Sequence, residues 1–218
     1  MINTEILILQ INHQLTFSDC EKFLSCLSEF RQQKIQKLYF EKDKLLSLFA
    51  GLLVRYQIIQ KLHIPNQKIQ FYYGTHGKPH LLNDHYHFSL SHSGQYAAFA
   101  DSSFPIGIDI EQTRKADFRI AEAYFSSQEL QFLQNSPDPD SAFFMVWTAK
   151  EAYLKMTGEG LTVPLNSFCT VSGIPDHHFL HLQIPGYAVS LCLHQTLKAG
   201  IPVFLDCVTL MQFFKNSL

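Results

Sequence analysis

Residues 143–161 read FFMVWTAKEAYLKMTGEGL, and the rest of the chain is best understood from them. Phe144, Trp147, Ala152 and Leu154 suit a helix packed on a core, no proline interrupts 142–158, and Gly158 and Gly160 supply the stop. At about 100° per residue, Trp147, Glu151 and Lys155 share one face. Taken alone, Glu151 and Lys155 read more readily as a solvated i,i+4 ion pair than as a site. A second acidic stretch upstream changes that weighting. Residues 105–111, PIGIDIE, alternate Ile106, Ile108 and Ile110 with Gly107, Asp109 and Glu111, the period of a half-buried strand. Two carboxylates then share a face about 7 Å apart at their Cα atoms. A strand end with a solvated polar face would look the same. Followed by a helix carrying a third carboxylate, the pattern instead suits a hard divalent cation such as Mg²⁺, which takes oxygen ligands and shares its shell with phosphates.

The chain has 218 residues, 46% hydrophobic and 17% charged, enough for one large domain or two small lobes around a real core. A net charge of −2 argues against non-specific nucleic-acid binding. The charge is uneven. Residues 28–61 hold seven Lys/Arg against three acidic residues, a local +4 that leaves −6 elsewhere. Such a patch suits an anionic small molecule or an acidic protein partner. Cysteines 20, 26, 169, 192 and 207 form no CxxC pair and have apolar neighbours, as reduced core residues of a cytoplasmic protein would. The opening MINTEILILQI carries Glu5 and no basic segment, so it reads as a buried strand and not a signal peptide. No run approaches the 18 apolar residues expected of a membrane span.

In chain order, 6–11 is an expected strand. Ser18 or Asp19 caps a helix through 23–30, and 29–39 continues as a short basic helix with Phe30, Ile35 and Leu38 inward. Residues 42–62 form the longest apolar-periodic run, a core helix in which Ser47 can back-bond. A strand at 68–73 leads to the turn GTHGKP (74–79), whose Lys78 is by itself an ordinary loop lysine. Residues 87–94, HFSLSHSG, pair with 95–100 as a hairpin or corner, where Ser91 and His92 serve either as turn residues or as a phosphate cradle. Helices are expected at 118–124 and 127–133, a loop at 135–140, and strands at 168–171, 180–184, 188–193 and 203–210. His177, His178 and His181 lack metal-ligand spacing and read as turn and strand residues. The order β–α–β–β recurs weakly in the two halves, and runs of adjacent strands favour an α+β class. Two tightly packed lobes, 1–104 and 105–218, are expected.

A GKP turn, an SHSG corner, a strand-borne GIDIE and a helix-borne WTAKEAYLK, in that order, resemble the 4′-phosphopantetheinyl transferases, in particular the long surfactin-synthetase-activating type. The likeness covers about residues 28–172, with PGYAVSLCL (185–193) similar to a later strand of the family. The resemblance implies two similar α+β lobes related by a pseudo-twofold, with coenzyme A in the cleft between them. It implies Mg²⁺-dependent transfer (Mn²⁺ being an alternative metal) of phosphopantetheine from coenzyme A to a serine of an apo acyl or peptidyl carrier protein, by a monomer. On that basis Asp109, Glu111 and Glu151 match the metal ligands, Glu151 also the base for the serine, and Lys155 the residue that steadies the phosphate and protonates the leaving group. Ser91 and His92 match pyrophosphate contacts, and Gly77, Lys78 and Pro79 the adenine-side turn. Arg31 and Lys34 match the basic pair near the 3′-phosphate, and Ser47 a hydroxyl there. Where relatives carry basic residues just before that hydroxyl, this chain has Leu45 and Leu46, leaving Arg31, Lys34 and Lys44 for the 3′-phosphate.

The rival readings are a coenzyme A or carrier-binding module without catalysis, a nucleotide hydrolase, and a structural interaction protein. The first is opposed by the presence of all three carboxylates and the lysine, the second by the lack of GxxxxGK[ST]. The third leaves the carboxylate cluster unexplained.

Overall fold

The computed structural model describes residues 3–12, 14–82 and 86–215. In order, the elements are β1 (Asn3–Gln10), α1 (Phe17–Cys20), α2 (Glu29–Gln36), α3 (Glu41–Leu62), β2 (Phe71–Tyr73), β3 (Pro79–Leu81), β4 (His87–Ser93), β5 (Tyr96–Ser102), β6 (Gly107–Gln112), α4 (Phe118–Tyr124), α5 (Ser127–Asn135), α6 (Pro139–Thr157), β7 (His177–Ile184), β8 (Tyr187–His194), β9 (Lys198–Ala199), β10 (Val203–Asp206) and α7 (Cys207–Phe214). Strands β10, β1, β5 and β4 lie side by side in one sheet, with β9 also pairing with β1. Strands β6, β8 and β7 form a second sheet, and β2–β3 a separate hairpin. This is a mixed α and β fold of several sheets.

Helix α3 packs on β4 and β5, and α6 on β6 and β8. The apolar periodicity of α3 puts Leu48, Phe49, Leu52, Leu53 and Ile58 wholly inside. By length and a mean hydropathy of 1.3 this helix could cross a bilayer, contrary to the sequence expectation, but 67% of its most apolar window is buried in the protein. It is a core helix. In β6 the alternation holds: Ile106, Ile108 and Ile110 are fully buried against the inner faces of β1, β5 and β8, which leaves Gly107, Asp109 and Glu111 on the opposite face.

Several local expectations need correction. The helix foreseen over 23–30 is a 3₁₀ segment, Glu21–Cys26, ending at the extended Leu27; Ser28 then caps α2 as a separate helix. Phe30 is 56% exposed, turned out of the core toward an open cavity, where it tilts against Tyr73 of β2 at 4.6 Å between ring centroids. Asp138 in the foreseen loop caps α6 through Ser141 N, with Pro139 opening the helix, an arrangement that suits the first helical position. No strand forms at 168–171. The last apolar run is β10 followed by α7, with Asp206 capping the helix. Strand β10 pairs with β1 in parallel, Leu7 opposite Val203. The chain therefore returns to its first strand from Lys198 onward.

Candidate active site

The two main sheets meet edge to edge at β4 and β6, and hydroxyls rather than a backbone ladder join them. Ser89, Ser91 and Ser93 share one face of β4. Ser89 Oγ accepts from Ile108 N at 3.0 Å. Ser93 Oγ accepts from Gln112 N at 3.1 Å and donates to Glu111 Oε2 at 2.8 Å. Between them Ser91 Oγ donates to Asp109 Oδ1 at 2.6 Å. The alternation in HFSLSHS showed this serine stripe, but only Ser91 was singled out; Ser89 and Ser93 were missed because their partner strand lies across the fold.

Helix α6 lies against the same strand at backbone contact. A Cβ on Gly107 would fall 1.7 Å from Ala152 O and 2.7 Å from Met156 N, so only glycine lets the two chains touch there. This approach brings Lys155 onto Asp109 Oδ1 at 2.6 Å and onto Ser91 Oγ at 2.8 Å. Behind α6, Lys150 and Glu129 are both fully buried and paired at 2.7 Å. Lys150 also donates to the carbonyls of Leu165 (2.6 Å) and Phe168 (2.9 Å). Glu129 accepts from Thr170 and Ser126. The lysine of WTAKE thus anchors the loop after α6 while its neighbour Glu151 faces the site.

A cavity of about 540 Å³ opens beside this junction, lined by α2, the 74–79 turn, β4 and the end of α6. That size suits a small-molecule substrate. Arg31, Lys34, Gly77, Lys78, Pro79, Ser91, His92, Glu151 and Lys155 all line it, together with Phe30, Tyr73, His76 and Leu154, which the sequence reading did not select. Four cations on its wall favour an anionic ligand. Arg31 spends one guanidinium N–H on Ser47 O at 3.0 Å, and its buried Nε has no partner. Ser47, expected near a phosphate, is instead a core residue of α3 that does not line the cavity; it contributes its carbonyl to hold Arg31. Leu45 and Leu46 are buried. Lys44 pairs with Glu41 at 2.9 Å, lies over the Phe17 ring and is not on the wall. Arg31 and Lys34 remain as the cations at that end.

Asp109 and Glu111 are not on the lining; Asp109 is bonded to Ser91 of the wall, and Glu111 to Ser93, which is off it. Burial raises the Glu151 pKa, with Asp109 and Glu111 adding to the rise against Lys155. Burial likewise raises that of Glu111, helped by Asp109 and opposed by Ser93 and nearby cations. Asp109 Oδ2 is buried with no hydrogen-bond partner. Among the described residues no group of three His, Cys, Asp or Glu converges closely enough to form a complete metal cage. The chemistry of the set still fits a divalent cation. Of the three carboxylates Asp109 pairs with Lys155, and its other oxygen is orphaned, an expensive arrangement that further positive charge relieves. His92 is open to the cavity, yet burial of its surroundings and the cations Arg31, Lys155 and Lys34 hold its pKa down to about 4. It is therefore neutral near pH 7, able to hydrogen-bond a phosphate.

A basic wall beside Glu151 and Lys155 suits an anionic ligand. Residues 14–104 match the N-terminal part of 4′-phosphopantetheinyl transferase, and residues 105–200 match the 4′-phosphopantetheinyl transferase superfamily. The 4′-phosphopantetheinyl transferase gsp of Aneurinibacillus migulanus is 37% identical over 166 residues, covering 75% of this chain and 70% of its own. The 4′-phosphopantetheinyl transferase Sfp of Bacillus subtilis (strain 168) is 30% identical over 220 residues, 93% and 95% of the two chains. The 4′-phosphopantetheinyl transferase psf-1 of Bacillus pumilus is 30% identical over 197 residues, 83% and 84%. The chain belongs to the 4′-phosphopantetheinyl transferase family.

Proposed function

We propose that this transferase moves 4′-phosphopantetheine from coenzyme A to a serine hydroxyl of an apo acyl or peptidyl carrier protein, releasing 3′,5′-ADP, in the cavity between α2, β4 and α6. The observation that carries the reading is the Lys155–Asp109–Ser91 cluster at the foot of a cation-lined cavity. Arg31 and Lys34 hold the 3′-phosphate end, and Gly77 and Pro79 form the adenine-side wall. Ser91 and His92 meet the pyrophosphate. Two of the three Lys155 N–H groups have partners, which leaves a third for a phosphate oxygen.

Asp109, Glu111 and Glu151 would hold a divalent metal, Mg²⁺ by the all-oxygen donor set, whose charge would offset that of the pyrophosphate. Glu151, made more basic by burial, takes the proton of the serine hydroxyl as its oxygen bonds to the pantetheine-bearing phosphorus. The bond from that phosphorus to the bridging oxygen breaks, and Lys155 protonates the departing 3′,5′-ADP. Phosphoryl-type transfer needs alignment and charge stabilisation more than covalent help, which is what rigid elements β6 and α6 offer.

In this reading the two halves are pseudo-symmetric lobes with α3 and α6 in equivalent places; the last segment, 198–214, expected in the second lobe (105–218), pairs with β1 and packs in the first (1–104). The protein acts as a cytoplasmic monomer. The test is release of 3′,5′-ADP from coenzyme A in the presence of an apo carrier. Turnover that EDTA removes and Mg²⁺ restores is expected. Tight coenzyme A binding without release would instead favour a binding module that has lost catalysis.

A further inference from the structure

Lys78 is half-buried, and its ammonium is occupied by backbone. It donates to Lys155 O, to Met156 O at 3.3 Å and to Ile106 O at 3.5 Å. Two of these acceptors lie in the last turn of α6, where carbonyls have no intrahelical partner. Leu154 O is met by Gly158 N and Thr157 Oγ1; Lys155 O and Met156 O fall to Lys78. A cation at a helix C-terminus also faces the negative end of the helix dipole. The third acceptor is the residue that leads into β6. One side chain from the 74–79 turn therefore ties down the helix bearing Glu151 and Lys155 and the strand bearing Asp109 and Glu111.

The surroundings fit a clasp. Directly beside it, β6 and α6 are at backbone contact through Gly107. On the other side His76 packs against Gly160, where an added Cβ would come 3.0 Å from His76 Cβ. Burial pulls the Lys78 pKa down to about 8. Lys155 needs placing to within a fraction of an ångström, since a misplacement of about 1 Å can cost about 10²-fold in rate.

We propose that Lys78 is a positioning residue: its ammonium caps α6 and clamps that helix to β6 and the 74–79 turn, fixing Lys155 against Asp109 and Ser91. This differs from a direct coenzyme A contact, the role expected from the turn alone. The kinetic half rests on the proposed transfer; the structural half does not.

The experiment compares Lys78→Met and Lys78→Arg with the unmodified protein, by transfer kinetics and by hydrogen–deuterium exchange of residues 154–158 without substrate. For Lys78→Met the expected results are exchange at the end of α6 about tenfold faster, kcat lower by about tenfold or more, and KM for coenzyme A within about twofold. Lys78→Arg, whose fork can span two carbonyls, should recover most of kcat. A raised KM with unchanged kcat would overturn the proposal in favour of a substrate contact. Unchanged exchange and unchanged kcat would overturn it in favour of a solvated lysine. If Lys78→Met does not fold, Lys78→Gln reads the same split. Should the unmodified protein transfer nothing, the proposed function fails while the exchange comparison still decides the clasp.

Discussion

At Asp109 one carboxylate oxygen carries two donors and the other carries none, and Glu151 stands one helical turn before the lysine that supplies one of those donors. If Glu151 takes the serine proton, Glu151→Gln should lower kcat by about 10²–10⁴-fold while coenzyme A still binds; near-normal turnover would remove it from that role. His92 offers a prediction on stability. Its folded pKa, about 4, lies below the ordinary value near 6.5, so the unfolded chain binds more protons between those pH values. Stability should fall as pH drops through that window. His92→Gln should flatten the fall, read as the denaturation midpoint at pH 4.5 against pH 7. At this scale the type and spacing of Glu151, Lys155, Asp109 and His92 made them legible as candidates, and the structure brings Glu151, Lys155 and His92 to one cavity with Asp109 bonded to Lys155. Ser47 lies buried in α3 and off the cavity lining, and a hydroxyl in a helix does not reveal which way the helix faces. Lys78 looked like loop decoration because its acceptors are carbonyls of residues far along the chain.

At the scale of elements, the site depends on how closely α6 can lie on β6 and on what holds it from behind. Gly107→Ala places a Cβ inside van der Waals range of Ala152 O, so helix or strand must shift. The expected outcome is a lower melting temperature and a loss of transfer out of proportion to it, measured on the fraction that remains folded at 25 °C. On the far side, Lys150→Met strands the buried Glu129 carboxylate and should cost about 3–5 kcal/mol in denaturant unfolding. The double variant Lys150→Met with Glu129→Leu should regain much of that, since no uncompensated charge remains. The helix within 143–161, which ends at Thr157 with Gly158 as its cap, and the PIGIDIE strand were legible because their periods are unambiguous. The segment 168–171 was read as a strand from its apolar side chains, whereas Phe168 O is taken by Lys150 and Thr170 N–H by Glu129. In the same way 203–210 carries one apolar run across a strand and a helix, and Asp206 marks the junction only once its cap is seen.

For the whole molecule, two sheets joined by a stripe of serines leave a cavity whose far end is cationic. Arg31→Ala combined with Lys34→Ala should raise KM for coenzyme A with a smaller loss in kcat; an unchanged KM would refute the placement of the 3′-phosphate. The α+β class was legible from the runs of adjacent strands. The return of β10 to β1 was not, because parallel pairing between residues almost 200 apart leaves no local trace. The central claim is transfer at this cavity, and the intact mass of an apo acyl carrier protein tests it most directly, after incubation with the protein, coenzyme A and Mg²⁺. The account predicts a gain of one phosphopantetheine, abolished by EDTA and strongly slowed by Glu151→Gln. An unchanged mass across several apo carriers, with coenzyme A bound, would contradict it.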